Sequence, residues 1–137
     1  MAMTGGCLCG KVRYRVSSAH TQVFLCHCRQ CQKAQGTAFV ASVPIPAADF
    51  ELITGADTLT AFRASVAKAR HFCRQCGSPI YSQVDGKPVL RLRAGSLDAA
   101  TSLKIEAHIH TASTAAWYRI NDDHPQYPGF EPDRTKT

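Results

Sequence analysis

Apolar and polar positions alternate with a period of two along much of this chain. After Gly5-Gly6, the run Lys11-Val12-Arg13-Tyr14-Arg15-Val16 puts apolar side chains on one face and basic ones on the other, which predicts a half-buried strand. Further strand-like runs follow at 39–45, 51–54, 58–63, 69–73, 79–84, 89–93 and 103–110, separated by turns containing Gly, Pro and Asp. The cleanest alternation is the last. There Leu103, Ile105, Ala107 and Ile109 share one face, and Lys104, Glu106, His108 and His110 the other. Only the stretch from about Arg29 to Gln35, closed by Gly36, reads as helical. Asn121 to Thr137 carries several Pro, Asp and Lys residues and is expected to be irregular, with a frayed end.

The expected fold class is therefore mainly β, with a short helix after the second of three cysteine clusters. No internal repeat and no Gly/Ser tract divides the 137 residues. One domain is expected over residues 1–128, long enough to bury an ordinary core, followed by an irregular C-terminal tail over 129–137. A composition of 45% hydrophobic and 19% charged residues excludes the disordered and collagen-like classes. No segment approaches the roughly 18–20 apolar residues of a membrane helix, and the first residues lack an apolar signal core. The expectation is a soluble, cytoplasmic protein with no membrane partner.

Candidate chemistry lies in seven cysteines: Cys7-Leu8-Cys9, Cys26-His27-Cys28-Arg29-Gln30-Cys31 and Cys73-Arg74-Gln75-Cys76. An odd count leaves one thiol over in any disulfide framework, and a reducing compartment argues against one altogether. Zinc is the better explanation. A tetrahedral ion about 2.3 Å from each sulfur needs neighbouring sulfurs roughly 3.8 Å apart, which a C-x-x-C turn or a bent C-x-C strand end delivers. Two divisions are open. A ribbon-type pairing would join Cys28 and Cys31 to Cys73 and Cys76 and strand three thiols. The division favoured by spacing uses all seven: Cys7, Cys9, Cys73 and Cys76 in a closed structural site, and Cys26, Cys28 and Cys31 in a site whose fourth position is free. The competing reading closes that second site with His20, His27, His71, His108 or His110, although His27 sits awkwardly between two ligands on one turn.

Metal also changes the charge argument. A formal +6 would raise nucleic acid as a partner, but seven thiolates and two divalent ions bring it to about +3. Basicity is then weak support for nucleic acid and remains compatible with a small anionic substrate.

The cysteine motifs, together with Gly36-Thr37-Ala38-Phe39, Arg70-His71-Phe72, Gly95-Ser96-Leu97-Asp98, His108-Ile109, Trp117-Tyr118 and Asp123-His124-Pro125-Gln126, resemble the glutathione-dependent formaldehyde-activating enzyme family. That group includes S-(hydroxymethyl)glutathione synthase and the related domain of centromere protein V. The resemblance spans roughly residues 4–128. It implies a Mss4-like β-tent of twisted antiparallel sheets, two zinc ions per chain, and the same division of ligands, with Cys26, Cys28 and Cys31 on the catalytic zinc. It also implies a carbon–sulfur lyase or synthase acting on a small thiol such as glutathione and an aldehyde such as formaldehyde. One departure stands out: where the family often has a basic residue and then Pro before the Trp, this chain has Ser113-Thr114-Ala115-Ala116. Any substrate contact made by that basic residue is missing here.

A thiol entering an open zinc site binds as thiolate, the nucleophile that adds to an aldehyde carbon. Arg29 and Lys33 are candidates to attract a substrate carboxylate, against the simpler reading that they are solvated surface charges. His71 and Asp98 are candidates for proton transfer. The alternative function is a non-catalytic module in which two zincs shape a surface for a protein or nucleic-acid partner. A protein side chain closing the second site would favour it.

Overall fold

Ten strands and one α-helix make up the computed structural model, which describes residues 2–99, 102–132 and 134. Three strands form a small sheet in the order β1 (Met3–Gly6), β2 (Arg13–Val16), β5 (Phe50–Thr54). Seven form a larger one. Its order is β10 (Lys104–Ile109), β3 (Gln22–Cys26), β4 (Val40–Pro46), β9 (Val89–Arg93), β8 (Pro79–Val84), β7 (Lys68–Cys73), β6 (Leu59–Arg63). The helix α1 (Arg29–Gln35) follows β3 and stops at Gly36, which takes the left-handed conformation. The fold is thus mainly β, as the alternation predicts. No helix among the described residues is long and apolar enough to cross a membrane.

Alternation explains how the sheets meet. Tyr14 and Val16 of β2 and the preceding Val12 are buried against Val23 and Leu25 of β3, Val43 and Ile45 of β4, and Leu90 and Leu92 of β9. Each such side chain removed from water contributes on the order of 1.5–3 kcal/mol. The opposite face of the large sheet differs in character. Register pairs Ile109 with Cys26, Cys26 with Val40, Ser42 with Arg93, Arg91 with Ser82, Ser82 with Arg70, and Val84 with Lys68. Paired side chains share a face, so thiol, hydroxyl and basic groups from five strands are gathered on one side.

Two expectations are corrected. The sheets are not wholly antiparallel, because β10 runs parallel to β3, with a register shift between Ile105 and Ala107. The polar face assigned to β10 is also not uniformly wet: His108 is fully buried while Ile105 is exposed. The cause is the chain that follows. Pro125–Tyr127 runs beside the strand, with His108 N–H donating to the Pro125 carbonyl at 2.8 Å and Tyr127 N–H to that of His108 at 2.9 Å. From Asn121 onward the described residues are irregular as expected, yet the segment is tied down, His110 N–H being bonded to the Gly129 carbonyl at 2.9 Å. The expected fraying falls on residues 135–137, outside the described residues.

Candidate metal centres

The seven thiols gather into two groups, Cys7, Cys9, Cys73 and Cys76 in one and Cys26, Cys28 and Cys31 in the other. Within each group all sulfurs lie within 4.8 Å of one another. The ribbon-type pairing of Cys28 and Cys31 with Cys73 and Cys76 is therefore not the arrangement found.

The four-thiol group is built by two tight turns. Cys7 and Cys9 follow β1, and Cys73 and Cys76 end β7 and turn back into β8. Gly10 and Gly77 close these turns at φ of 82° and 78°, a conformation other residues enter only with strain. Gly77 N–H bonds the Cys73 carbonyl at 2.7 Å, and Val12 N–H points at Cys7 Sγ at 3.2 Å. Sulfur separations of 3.5 Å for Cys7 to Cys9 and 3.8 Å for Cys9 to Cys73 are close to the edge of a zinc tetrahedron. Hydrogen bonds from the Ser78 hydroxyl and backbone bring the Cys76 thiol down to about 5. The donor set fits a closed site.

The three-thiol group combines the end of β3 with the start of α1. Cys28 caps the helix, its sulfur accepting the Cys31 N–H at 3.2 Å, and Cys31 and Cys26 sulfurs lie 3.4 Å apart. Hydrogen bonding from Cys26 and Cys28, reinforced by the Arg70 guanidinium 3.6 Å away, holds the Cys31 thiol well below its ordinary range despite burial. Cys26 moves in the opposite direction, because its proton is shared with those two sulfurs. Three sulfurs so placed fit three corners of a tetrahedral ion. Among the described residues no histidine or carboxylate completes the group.

The histidines have other partners. His27, between two thiols in sequence, turns its ring away, with Nε2 2.8 Å from His108 Nδ1; His108 Nε2 lies 2.9 Å from Asp122 Oδ2. A carboxylate can only accept, so His108 Nε2–H donates to Asp122; with His108 neutral its Nδ1 is then an acceptor, and His27 Nε2–H donates to it. Both rings are fully buried, and burial, with the neighbouring His108, lowers the pKa of His27. The backbone is pinned too: His27 N–H bonds the Ile109 carbonyl at 2.9 Å, and the Gln32 amide bonds the carbonyls of His27 and Ser113. Asp122→Ala leaves His108 short of an acceptor. It is expected to cost about 1–2 kcal/mol, lowering the melting temperature by a few degrees with zinc content unchanged. Thermal melts with metal analysis check this.

The three thiols open into a cavity of about 460 Å³. Its wall includes Val40, Val89 and Ile109, the hydroxyls of Ser42 and Ser82, and His110 with Phe130. It also includes Lys68, Lys87, Arg91, Arg93 and Arg134. A depression of similar volume touches Cys7, but the thiols there already number four. Of the remaining candidates, Arg29 bonds to the Gln32 side chain, Lys33 is exposed, and neither lines the cavity. His71 stacks on Tyr81, and Asp98 pairs with Arg13 and Thr4; neither reaches the three thiols' cavity. His20 pairs with Ser18 and Asp49. Lys68, Arg91 and Arg93 carried no motif, and only strand register brings them, with Arg70, to the side of the sheet that bears the thiols.

A family model described as glutathione-dependent formaldehyde-activating enzyme matches residues 2–113. Two curated relatives are provisionally named as such enzymes. One, from Halomonas elongata, is 33% identical over 87 residues, covering 59% of this chain and 55% of the relative. The other, from Fusarium vanettenii, is 31% identical over 85 residues, covering 56% and 46%. The matched region thus spans about half the length of these relatives. A crystal structure of a Rhodobacter sphaeroides protein shares the fold at a TM-score of 0.61 and 23% identity, over 71% of this chain and 89% of that one.

Proposed function

Because the chain belongs to the glutathione-dependent formaldehyde-activating enzyme family, we propose that it is a zinc-dependent carbon–sulfur lyase or synthase that joins a small thiol such as glutathione to an aldehyde and reverses that step. The observation that carries this reading is the trio Cys26, Cys28 and Cys31, one donor short of a tetrahedron and open to a cavity large enough for a small molecule. Cys7, Cys9, Cys73 and Cys76 would hold a second zinc with a purely structural role.

A zinc ion held by Cys26, Cys28 and Cys31 would supply a Lewis acid that favours thiolate over thiol at neutral pH. The rest falls to the chain. Val40, Val89 and Ile109 keep water from the reacting sulfur and carbon, and the cationic wall concentrates anionic thiols. The sulfur attacks the aldehyde carbon, a carbon–sulfur bond forms, and the thiol proton passes to the former carbonyl oxygen; the reverse step cleaves that bond. His110 is a wall residue able to hold the proton in transit.

Exchange spectroscopy by NMR on mixtures of glutathione and formaldehyde tests the proposal. Protein at catalytic concentration is expected to raise the exchange rate at least about tenfold over the uncatalysed mixture, the lower end for a positioned acid–base group. No acceleration with any of several thiols and aldehydes would contradict it.

A further inference from the structure

The cysteine-bearing face of the large sheet carries more positive charge than the described residues neutralise. Lys68 and Arg70 lie on β7 and Arg91 and Arg93 on β9, and strand register sets all four on that face. Arg91 and Arg134 share Glu131. The others have no acidic partner among the described residues. Arg93 is only 7% exposed and bonds to neutral groups: the Gln35 amide oxygen, the Ser82 hydroxyl and the Arg91 carbonyl. Arg70 is 8% exposed; one guanidinium nitrogen points at Cys31 and another, Nη1, is buried without a partner. Lys68 is half-buried on the cavity wall, and its side-chain ammonium has neither a hydrogen bond nor an ion pair with any described residue.

Burying cations costs several kcal/mol each unless negative charge is brought to them. Three thiolates on a divalent ion would carry a net single negative charge, less than Lys68, Arg70 and Arg93 together require. We infer that Lys68, backed by Arg93, forms a specificity-determining subsite for a carboxylate carried by the substrate thiol, so that the cavity selects anionic thiols over neutral ones of the same size. The anion would be held from β7 and β9. The inference rests on the proposed thiol chemistry only for placing the sulfur at the cysteines. The carboxylate contact stands independently of turnover.

The test uses the zinc-loaded full chain and two thiol acids of different reach, mercaptopropionate and glutathione, beside neutral counterparts, mercaptopropanamide and glutathione diethyl ester. Calorimetry gives the affinity of each for the wild-type protein, Lys68→Met, and Lys33→Met as a surface control. At least one acid is expected to bind the wild type about tenfold more tightly than its counterpart, the scale of one partly buried charged hydrogen bond. Lys68→Met should remove most of that preference while changing the neutral thiol less than about twofold, and added salt should erode it. Lys33→Met should behave as wild type. Equal affinity for acids and neutral counterparts, no binding by either acid, or a preference that survives Lys68→Met would each overturn the inference. Absence of turnover with the anion preference intact would overturn the proposed reaction and leave the subsite standing.

Discussion

Cys73→Ala is expected to destroy the folded state. The Cys73 side chain is fully buried where β7 ends, and its sulfur stands 3.8 Å from Cys9, so it ties the start of the chain to the middle of the large sheet. Metal binding to such a site supplies about 10–16 kcal/mol in small zinc domains, against a total stability of about 5–15 kcal/mol for an ordinary domain. Loss of one ligand leaves three thiols and two glycine-closed turns with nothing to hold them together. The variant should be insoluble, or should lack the cooperative thermal transition of the wild type, when followed by circular dichroism. A transition within a few degrees of wild type would show that the four-thiol group does not stabilise the fold.

Cys28→Ala is expected to behave in the opposite way, keeping the fold and losing the chemistry. Cys28 lies at a helix start beside the cavity, and its main local contact is the cap to Cys31 N–H. Losing that cap costs about 1 kcal/mol or less, a shift of a few degrees in melting temperature. Zinc content should fall from two per chain to one. Acceleration of thiol–aldehyde exchange should fall to background, because two remaining thiols are a poor site for the ion the proposed reaction needs. Arg29→Ala, beside it in sequence but turned to solvent, should keep activity within about twofold. Equal unfolding of Cys28→Ala and Cys73→Ala would mean that the two thiol groups are not functionally distinct.

Much of this was legible in the sequence because the informative patterns are local. The periods of β8 and β9 gave their observed bounds, and the spacing of seven cysteines, with their odd count, pointed to groups of four and three. β1 and β3 were not legible. The first is Met-Thr-Gly-Gly, without a run of β-formers, and the second, Gln-Val-Phe-Leu-Cys, is buried on both faces and so does not alternate. The cationic wall escaped for a different reason. Lys68, Arg91 and Arg93 alternate with apolar neighbours as any solvent-facing strand residues do, and only pairing across β7, β8 and β9 turns that face toward the thiols. The contacts of His27 with His108 and of His108 with Asp122 span 81 and 14 residues, beyond the reach of any local motif.

The division of the thiols is tested most directly by zinc analysis combined with X-ray absorption at the zinc edge on the wild-type protein without substrate. The expected result is two zinc ions per chain and seven zinc–sulfur bonds shared between them, the remaining ligand being a light atom not supplied by the protein. A single zinc per chain, or a histidine completing the coordination of Cys26, Cys28 and Cys31, would contradict it.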